Sequence, residues 1–445
     1  MTTIPRRAFV GNLAAGVAFT IVPRHVLGRG YRAPSDTLNV ACIGVGGMGW
    51  TDVQGMAKEN IYALCDVDWD MAERAFGAYP KAKRYRDFRE MLDKEARNVD
   101  AVLVSTPDHT HAAAAMMALR LKKPVRVQKP LARALHEVRV LSDAARRAGV
   151  ATQMGNQGHA QEGTMQIREW VEAGAIGTVR EVHYWTNRPI WPQALDRPTE
   201  AHIPPPTLSW DLWLGPVPER PYHPAYAPFR WRGWFDFGTG ALGDIACHAM
   251  DAAFWTLNLG RPSRIGVEAT EVFPETYPRA SRIVYHFPAR AGRSEITVVW
   301  RDGGIFPPRP SEVDALASWP PFSDGGQLWI GSDGKLVAGM YGQSPRLLDE
   351  RRDAEIRAKP PAVKYPRLES VYAEFAAACK GGPPAGSNFA EHAGPLTEMV
   401  LLGNLAVRAG RTLELNPQTG EVTNFRVPEE WLRPPYRKGW ALEGT

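Results

Sequence analysis

Cysteine is scarce in this chain: four in 445 residues, at Cys42, Cys65, Cys247 and Cys379. They are too few and too far apart for a disulfide framework, and no Cys-x-x-Cys pair points to a thiolate metal or redox centre; all four read as buried thiols. Long apolar runs are missing beyond the first thirty residues, so nothing there could span a bilayer. Blocks of like charge and internal repeats are also absent. The formal charge of +5, from 53 Lys+Arg against 48 Asp+Glu, is misleading. Residues 1–35 hold Arg6, Arg7, Arg24, Arg29 and Arg32 and no acid, so the remainder balances 48 basic residues against 48 acidic ones. A neutral body argues against nucleic acid or an anionic membrane as partner and suits an uncharged substrate.

What is abundant is proline, 38 residues, and tryptophan, 15. The length allows two or three domains, and the composition is that of an ordinary globular protein. Residues 1–35 read as an export signal and linker. Arg6-Arg7 precede a Gly- and Ala-rich apolar stretch, Ala8 to Val22, too punctuated by Pro5, Gly11, Gly16 and Pro23 for a good helix. This predicts passage through the twin-arginine translocase, a periplasmic or otherwise exported location, and no membrane attachment afterwards. Arg6, Arg7 and Phe9 match such signals; a Ser/Thr before the arginines and a following Lys do not occur.

From Leu38 to Ile43 a short apolar run has the look of a buried parallel strand, and it leads directly into Gly44-Val45-Gly46-Gly47-Met48-Gly49. In a Gly-x-Gly-x-x-Gly turn the first glycine permits the tight turn, the second lets backbone approach a pyrophosphate, and the third lets the next helix pack closely. A second apolar run, Ile61 to Cys65, ends at Asp66, followed by Val67. An acid there accepts hydrogen bonds from a ribose diol and repels a 2′-phosphate, which favours NAD over NADP. Val99–Ser105 and Pro124–Val127 read as further strands. Their carboxyl ends carry Ser105, Thr106, Pro107, Asp108, His109 and His111, then Gln128, Lys129 and Pro130. In an open parallel sheet those positions border the ligand crevice. Asp108, His109 and His111 also have a weaker reading as metal ligands, but no third ligand at sensible spacing supports it; no metal is assigned. Residues 36–155 are therefore read as a doubly wound Rossmann domain, with Asn156 closing the cofactor set.

Residues 156–415 read as an α+β domain with an open, mostly antiparallel sheet, and 416–445 as a tail. Within it, Arg188 to Phe237 holds 11 prolines and the tryptophans Trp191, Trp210, Trp213, Trp231 and Trp234. Such a stretch is a carbohydrate-stacking lid or a cover for a sheet edge or subunit contact, and the residues leave both open. A glycine-rich helix start follows, with Asp244, His248 and Asp251 spaced for one face of a helix running to about Leu257. A carboxylate beside a histidine suits proton removal from a hydroxyl, but taken alone the pair reads first as an N-cap Asp with a hydrogen-bonded core His, and a metal site is a smaller third option.

Together the glycine turn, Gln128-Lys129-Pro130 and Asp244-x-x-x-His248 resemble the Gfo/Idh/MocA oxidoreductase family, over roughly Leu38 to Leu415. The resemblance implies that Lys129 binds or polarises the reacting oxygen, that His248 is the acid/base and that Asp244 orients it. Gln128 departs from the glutamate usual in that family. The implied activity is NAD-dependent oxidation of a sugar or cyclitol hydroxyl with a cofactor carried along bound. Substrate contacts are expected at Lys129, His159, Tyr184, Asn187, Arg230, Trp231, Asp244 and His248, in a homo-oligomer. The alternative is a redox-neutral glycosidase acting through a 3-keto sugar and elimination, which needs a second proton acceptor. His159, His183, Tyr184 and Asp251 are its candidates. A non-catalytic sugar sensor ranks below both.

Overall fold

A computed structural model describes residues 36–290, 292–314 and 317–442. The export segment lies outside the described residues. The first sheet takes β1 (Asn39–Ile43), α1 (Met48–Gly55), β2 (Asn60–Cys65), α2 (Trp69–Ala78), β3 (Lys83–Tyr85), α3 (Phe88–Glu95), β4 (Ala101–Val104), α4 (Asp108–Arg120), β5 (Val125–Val127), α5 (Leu135–Ala148) and β6 (Thr152–Met154). Its order is β3-β2-β1-β4-β5-β6, all pairs parallel. Helices cover both faces, so the central strands, β4 and β1 after Asn39, are apolar and buried, as parallel strands require. The chain reverses direction between β1 and β4, and a crevice opens there beyond the strand ends. The short edge strands β3 and β6 carry no apolar run that would announce them.

The second layer holds α6 (Glu162–Glu172), β7 (Val179–Thr186), α7 (Trp210–Leu214), α8 (Gly240–Ala249), α9 (Asp251–Thr256), β8 (Arg264–Ala269), β9 (Ser281–Phe287), β10 (Ile296–Arg301), β11 (Gly325–Gly331), β12 (Lys335–Gly339), β13 (Arg346–Leu347), α10 (Glu350–Ala358), α11 (Val371–Cys379), α12 (Gly394–Ala409) and β14 (Leu413–Glu414). The eight strands run β13-β12-β11-β7-β10-β9-β8-β14. Only β7 and β10 pair in parallel; the other pairings are antiparallel. The predicted combination, a Rossmann sheet followed by an α+β layer with a mostly antiparallel sheet, is what forms. Strand β9 alternates inward Ser281, Ile283, Tyr285 and Phe287 with half-buried residues, the period of a strand with one face on a core. Helix α12 is apolar almost all round and buried accordingly; at Gly403 a Cβ would collide with the Tyr285 hydroxyl. One continuous core joins both layers, from Val104 and Val127 through Leu242 to Tyr285, Trp300 and Leu402. The tail returns to the first layer, where Trp440 packs on Phe88 and the Tyr436 hydroxyl donates to Glu137 at 2.6 Å. Of the four cysteines, Cys42, Cys65 and Cys247 are buried and Cys379 is only half-buried.

The expected single helix through Asp244 and Asp251 is broken at Met250 into α8 and α9. The break directs Asp251 away from Asp244 into a buried joint between three segments. Its carboxylate accepts from Asn156 Nδ2 at 2.8 Å and meets His392 Nε2 at 2.6 Å and His159 Nδ1 at 3.0 Å. His159 stacks on Trp255 at 4.0 Å. Burial opposes the charge on Asp251, but the two imidazoles outweigh it and hold the carboxyl well below its ordinary value. An Asp251→Ala variant strands three buried polar groups and is expected to lose about 3–5 kcal/mol of stability. Because the folded carboxyl is depressed, the stabilisation is present above the ordinary carboxylate range and fades on acidification. Urea melts of both proteins at neutral and acid pH measure the gap and its closure.

Candidate active site

The glycine turn is dictated by close approach. Gly44 has φ +75° and a Cβ there would sit 2.8 Å from the Ser105 carbonyl; Gly49 admits α1 against the Gly44 carbonyl. Gly46 faces Met71 on α2. A dinucleotide diphosphate needs a side-chain-free cradle at a helix start, and the described residues fit one. At the end of β2, Asp66 accepts from the N–H groups of Val45 (2.8 Å), Gly46 (3.2 Å) and Asp68 (3.0 Å). Burial raises its carboxyl despite those donors, and it faces the same cleft.

That cleft has a volume of about 550 Å³, within the usual range for small-molecule sites. Its walls include Gly44, Gly46, Gly47, Met48, Asp66, Val67, Ser105, Thr106, Pro107, Gln128 and Lys129. Val45 and Gly49 lie behind the turn, buried. Three expected cofactor contacts are elsewhere. His109 is buried with its ring nitrogens on the carbonyls of Trp213 (2.7 Å) and Phe237 (3.3 Å), and burial pushes it down to about 3. His111 bridges the carbonyls of Pro130 and Thr106, each at 2.8 Å, and burial pushes it down to about 4. Asn156 belongs to the Asp251 joint. All three fasten segments together, which their position after a strand end could not reveal.

At the far end of the cleft stands an ion cluster. Lys129 Nζ donates to the Asp244 side-chain Oδ1 and to its backbone carbonyl, both at 2.8 Å. Arg232 Nε donates to the same Oδ1 at 3.1 Å. Burial disfavours the Asp244 charge, yet Lys129 and Arg232 outweigh it and hold the carboxyl down at about 2. Asp244 is thus committed to two cations, and no hydrogen bond joins it to His248 among the described residues. The expectation that Asp244 orients His248 is corrected: a carboxylate between an ammonium and a guanidinium gains more from them than from a neutral imidazole. His248 itself is buried behind the wall, against Tyr341 at 4.8 Å, with Nδ1 unpartnered. Burial and the neighbouring Lys129 push it down to about 3, so it is neutral at neutral pH.

Beneath Lys129, Gln128 donates through Nε2 to both oxygens of buried Asp52, at 3.0 and 2.8 Å. Asp52 also receives the hydroxyls of Ser105 (2.5 Å) and Tyr372 (2.8 Å). The amide at 128 is therefore matched to a carboxylate that a glutamate would oppose.

Of the expected substrate contacts, Lys129, Asp244 and Trp231 line the cleft. Asn187 and Arg230 are exposed, and Arg230 borders a separate hollow beside Trp191 and Phe229. The proposed second acceptors all lie off the cleft: His159 and Asp251 hold each other, His183 sits between Glu181 and Arg301, and Tyr184 is wholly buried in the sheet. Sequence reasoning missed Asp52, whose partners lie 53 to 320 residues along the chain, and Arg232, which meets Asp244 only because the turn between them folds back. The Pro- and Trp-rich segment forms a small core of its own, with Trp210 stacked on Trp213 at 4.8 Å. From it Pro205, Leu208, Trp213, Tyr222 and Trp231 roof the cleft. It is pinned over the Asp66 end by Ser209 N–H to Val67 C=O (2.8 Å) and by Arg86 to Thr207 C=O (2.7 Å).

Comparison with known proteins agrees with this geometry. The family model for the NAD-binding Rossmann fold of Gfo/Idh/MocA oxidoreductases matches residues 38–156, and that for the C-terminal alpha/beta domain of the same family matches 168–292. Among curated proteins, the inositol 2-dehydrogenase of Klebsiella pneumoniae strain 342 is 31% identical over 148 residues, 32% of this chain and 43% of the relative. The myo-inositol 2-dehydrogenase of Thermotoga maritima is 28% identical over 162 residues, 36% of this chain and 48% of the relative. The chain matches less than half the length of these relatives. Among solved structures, the WlbA dehydrogenase from Bordetella pertussis in complex with NADH and UDP-GlcNAcA superposes with a TM-score of 0.59 at 14% identity, covering 85% of this chain and 99% of that one. The aldose-aldose oxidoreductase from Caulobacter crescentus gives 0.54 at 17%, covering 85% and 100%. These likenesses establish the fold.

The Asp52–Gln128 pair yields a prediction. Gln128→Glu puts a second carboxylate within hydrogen-bond distance of the first in place of an amide donor, so the variant is expected to lose about 1–3 kcal/mol of stability. Thermal melts of both proteins at neutral pH check this; equal stability contradicts it.

Proposed function

Because the chain belongs to the Gfo/Idh/MocA oxidoreductase family, with an NAD-binding first domain, we propose that it is an exported enzyme that oxidises a ring hydroxyl of a sugar or cyclitol using a cofactor that stays bound. The observation that carries this reading is Lys129: its ammonium stands at the end of β5, on the cleft that begins at the glycine turn, held by Asp244. NAD, when bound, supplies the acceptor for a hydride. The chain's own residues do the rest. Gly44, Gly46 and Gly47 would cradle the cofactor's diphosphate, and Asp66 would take the ribose diol. Lys129, kept in place by Asp244, directs its remaining proton at the substrate oxygen and so favours alkoxide character there. His248 keeps the acid/base role that the family likeness implies, as a neutral imidazole behind Lys129.

Two observations bear on the substrate and the bound cofactor. The matched relatives act on inositol by their names, and the cleft is lined by aromatic side chains suited to the C–H faces of a ring. The aromatic roof is hydrogen-bonded across the Asp66 end of the cleft, which fits a protein that leaves the cytoplasm carrying its nucleotide. Export rests on Arg6-Arg7. With His159, His183, Tyr184 and Asp251 all off the cleft, no specific observation favours the elimination route.

Three results are expected. Protein purified from native cells releases NAD on denaturation; a released fraction without nucleotide contradicts the bound-cofactor reading. Incubated with myo-inositol, free sugars and aryl glycosides, it reduces the bound cofactor with a free polyol, whereas phenol release without net reduction identifies a glycosidase. His248→Ala loses turnover by about 10²-fold or more yet keeps its nucleotide; unchanged turnover removes His248 from the chemistry.

A further inference from the structure

An oxidised hydroxyl gives up a proton as well as a hydride, and the groups just described are poor places for it to remain. Asp244 is tied to Lys129 and Arg232, Lys129 is already a cation, and His248 is held strongly toward its neutral form. Asp66 and Asp68 line the glycine-turn end of the cleft, and one more carboxyl lies at the Lys129 end. Asp108, in the first turn of α4, is 3% exposed and faces the space bordered by Thr106, Lys129, Arg232 and Asp244. Its Oδ2 accepts from Thr239 Oγ1 at 2.6 Å. Thr239 is itself buried, and its carbonyl accepts from Asn404 Nδ2 at 2.8 Å, so the hydroxyl that grips Asp108 is fixed at the entry to α8. Asp108 Oδ1 has no hydrogen-bond partner among the described residues.

We propose that Asp108 is a second catalytic residue of this cleft, the group on which the proton of the oxidised hydroxyl comes to rest, His248 being too weak a base to keep it. The inference rests on the oxidoreductase reading above. In the step, the substrate C–H bond breaks and its electron pair leaves as hydride, the share of NAD. The O–H bond breaks, its electron pair becomes the second bond of the new carbonyl, and the proton passes to the Asp108 carboxylate. The surroundings suit the task. Lys129 after β5, Arg232 before α8 and the Thr239 hydroxyl favour the carboxylate, while Asp244 on α8 opposes it. Tyr277 and Cys247, the other titratable groups nearby, are both kept protonated by burial. Burial outweighs the favourable contacts and raises the Asp108 carboxyl to about 7. A base is most effective when its pKa lies near the working pH.

Asp108→Asn preserves shape and the bond from Thr239. With the holoenzyme, myo-inositol and an artificial electron acceptor that reoxidises the bound cofactor, wild-type kcat/KM is expected to fall below about pH 7 as the carboxyl protonates. The Asn variant is expected to lose at least about 10²-fold in kcat with KM little changed, and to lose that acid limb. An Asn variant with wild-type kcat, or with the limb intact, overturns the proposal. Titration by infrared difference spectroscopy, wild type minus variant, provides a readout independent of turnover. A carboxyl band titrating near 7 and absent from the variant is expected; one titrating in the ordinary range near 4 overturns the assignment of Asp108. Should the wild type oxidise no polyol or sugar at all, the oxidoreductase reading falls, and the infrared titration still judges Asp108 by itself.

Discussion

The carboxylate of Asp244 is where the parts of this protein meet. Lys129 comes from the end of the first sheet, Arg232 from the aromatic segment, and Asp244 from the helix that opens the second layer. All three side chains are largely shielded from water, at 14%, 19% and 12% exposure. An anion so placed cannot lose either cation without leaving a charge poorly solvated, and breaking such a buried pair costs about 3–5 kcal/mol. The cluster therefore fixes the distance between the strand end and the helix, and with it the geometry of the cleft. The same commitment gives Lys129 one orientation and removes Asp244 from proton chemistry.

The histidines illustrate how burial assigns roles. Five of them, His109, His111, His159, His248 and His392, are almost fully enclosed. Four face carbonyls or a carboxylate, and each of those contacts ties segments distant in the chain: α4 to the aromatic roof, β5 to β4, and α9 to the turn before α12. His159 Nε2 and His248 Nδ1 are both buried ring nitrogens without a partner. His159 still holds Asp251 through Nδ1, whereas no hydrogen bond to the His248 ring occurs among the described residues, and this sets His248, on the helix that carries Asp244, apart from its structural neighbours.

Asp52 shows a charge moved without being lost. Gln128 stands where the family favours glutamate, and its amide closes on Asp52 from α1, which also gathers Ser105 and Tyr372. A negative charge still lies under the residue before Lys129, supplied from another element. The lysine is thus supported by a network spanning β4, β5, α1 and α11.

Much of the fold was legible because its signals are short-range. An apolar run, a glycine turn with φ near +75°, and an acid at the next strand end are local demands of backbone and packing, and they appear in order from Leu38 to Asp66. Lys129 and the start of α8 were legible for the same reason. The aromatic segment was legible as aromatic only: composition left a lid and an edge cover open, and it folds into a small core whose underside roofs the cleft. Asp251 was misplaced because one residue, Met250, interrupts a helix whose periodicity looked continuous. The sequence alone determined the doubly wound domain, its nucleotide and the residues from which a site would be built. Tertiary structure decided which charges pair, since Lys129 and Asp244 lie 115 residues apart. An ion pair forms or fails over a few ångströms, and periodicity carries no information at that range.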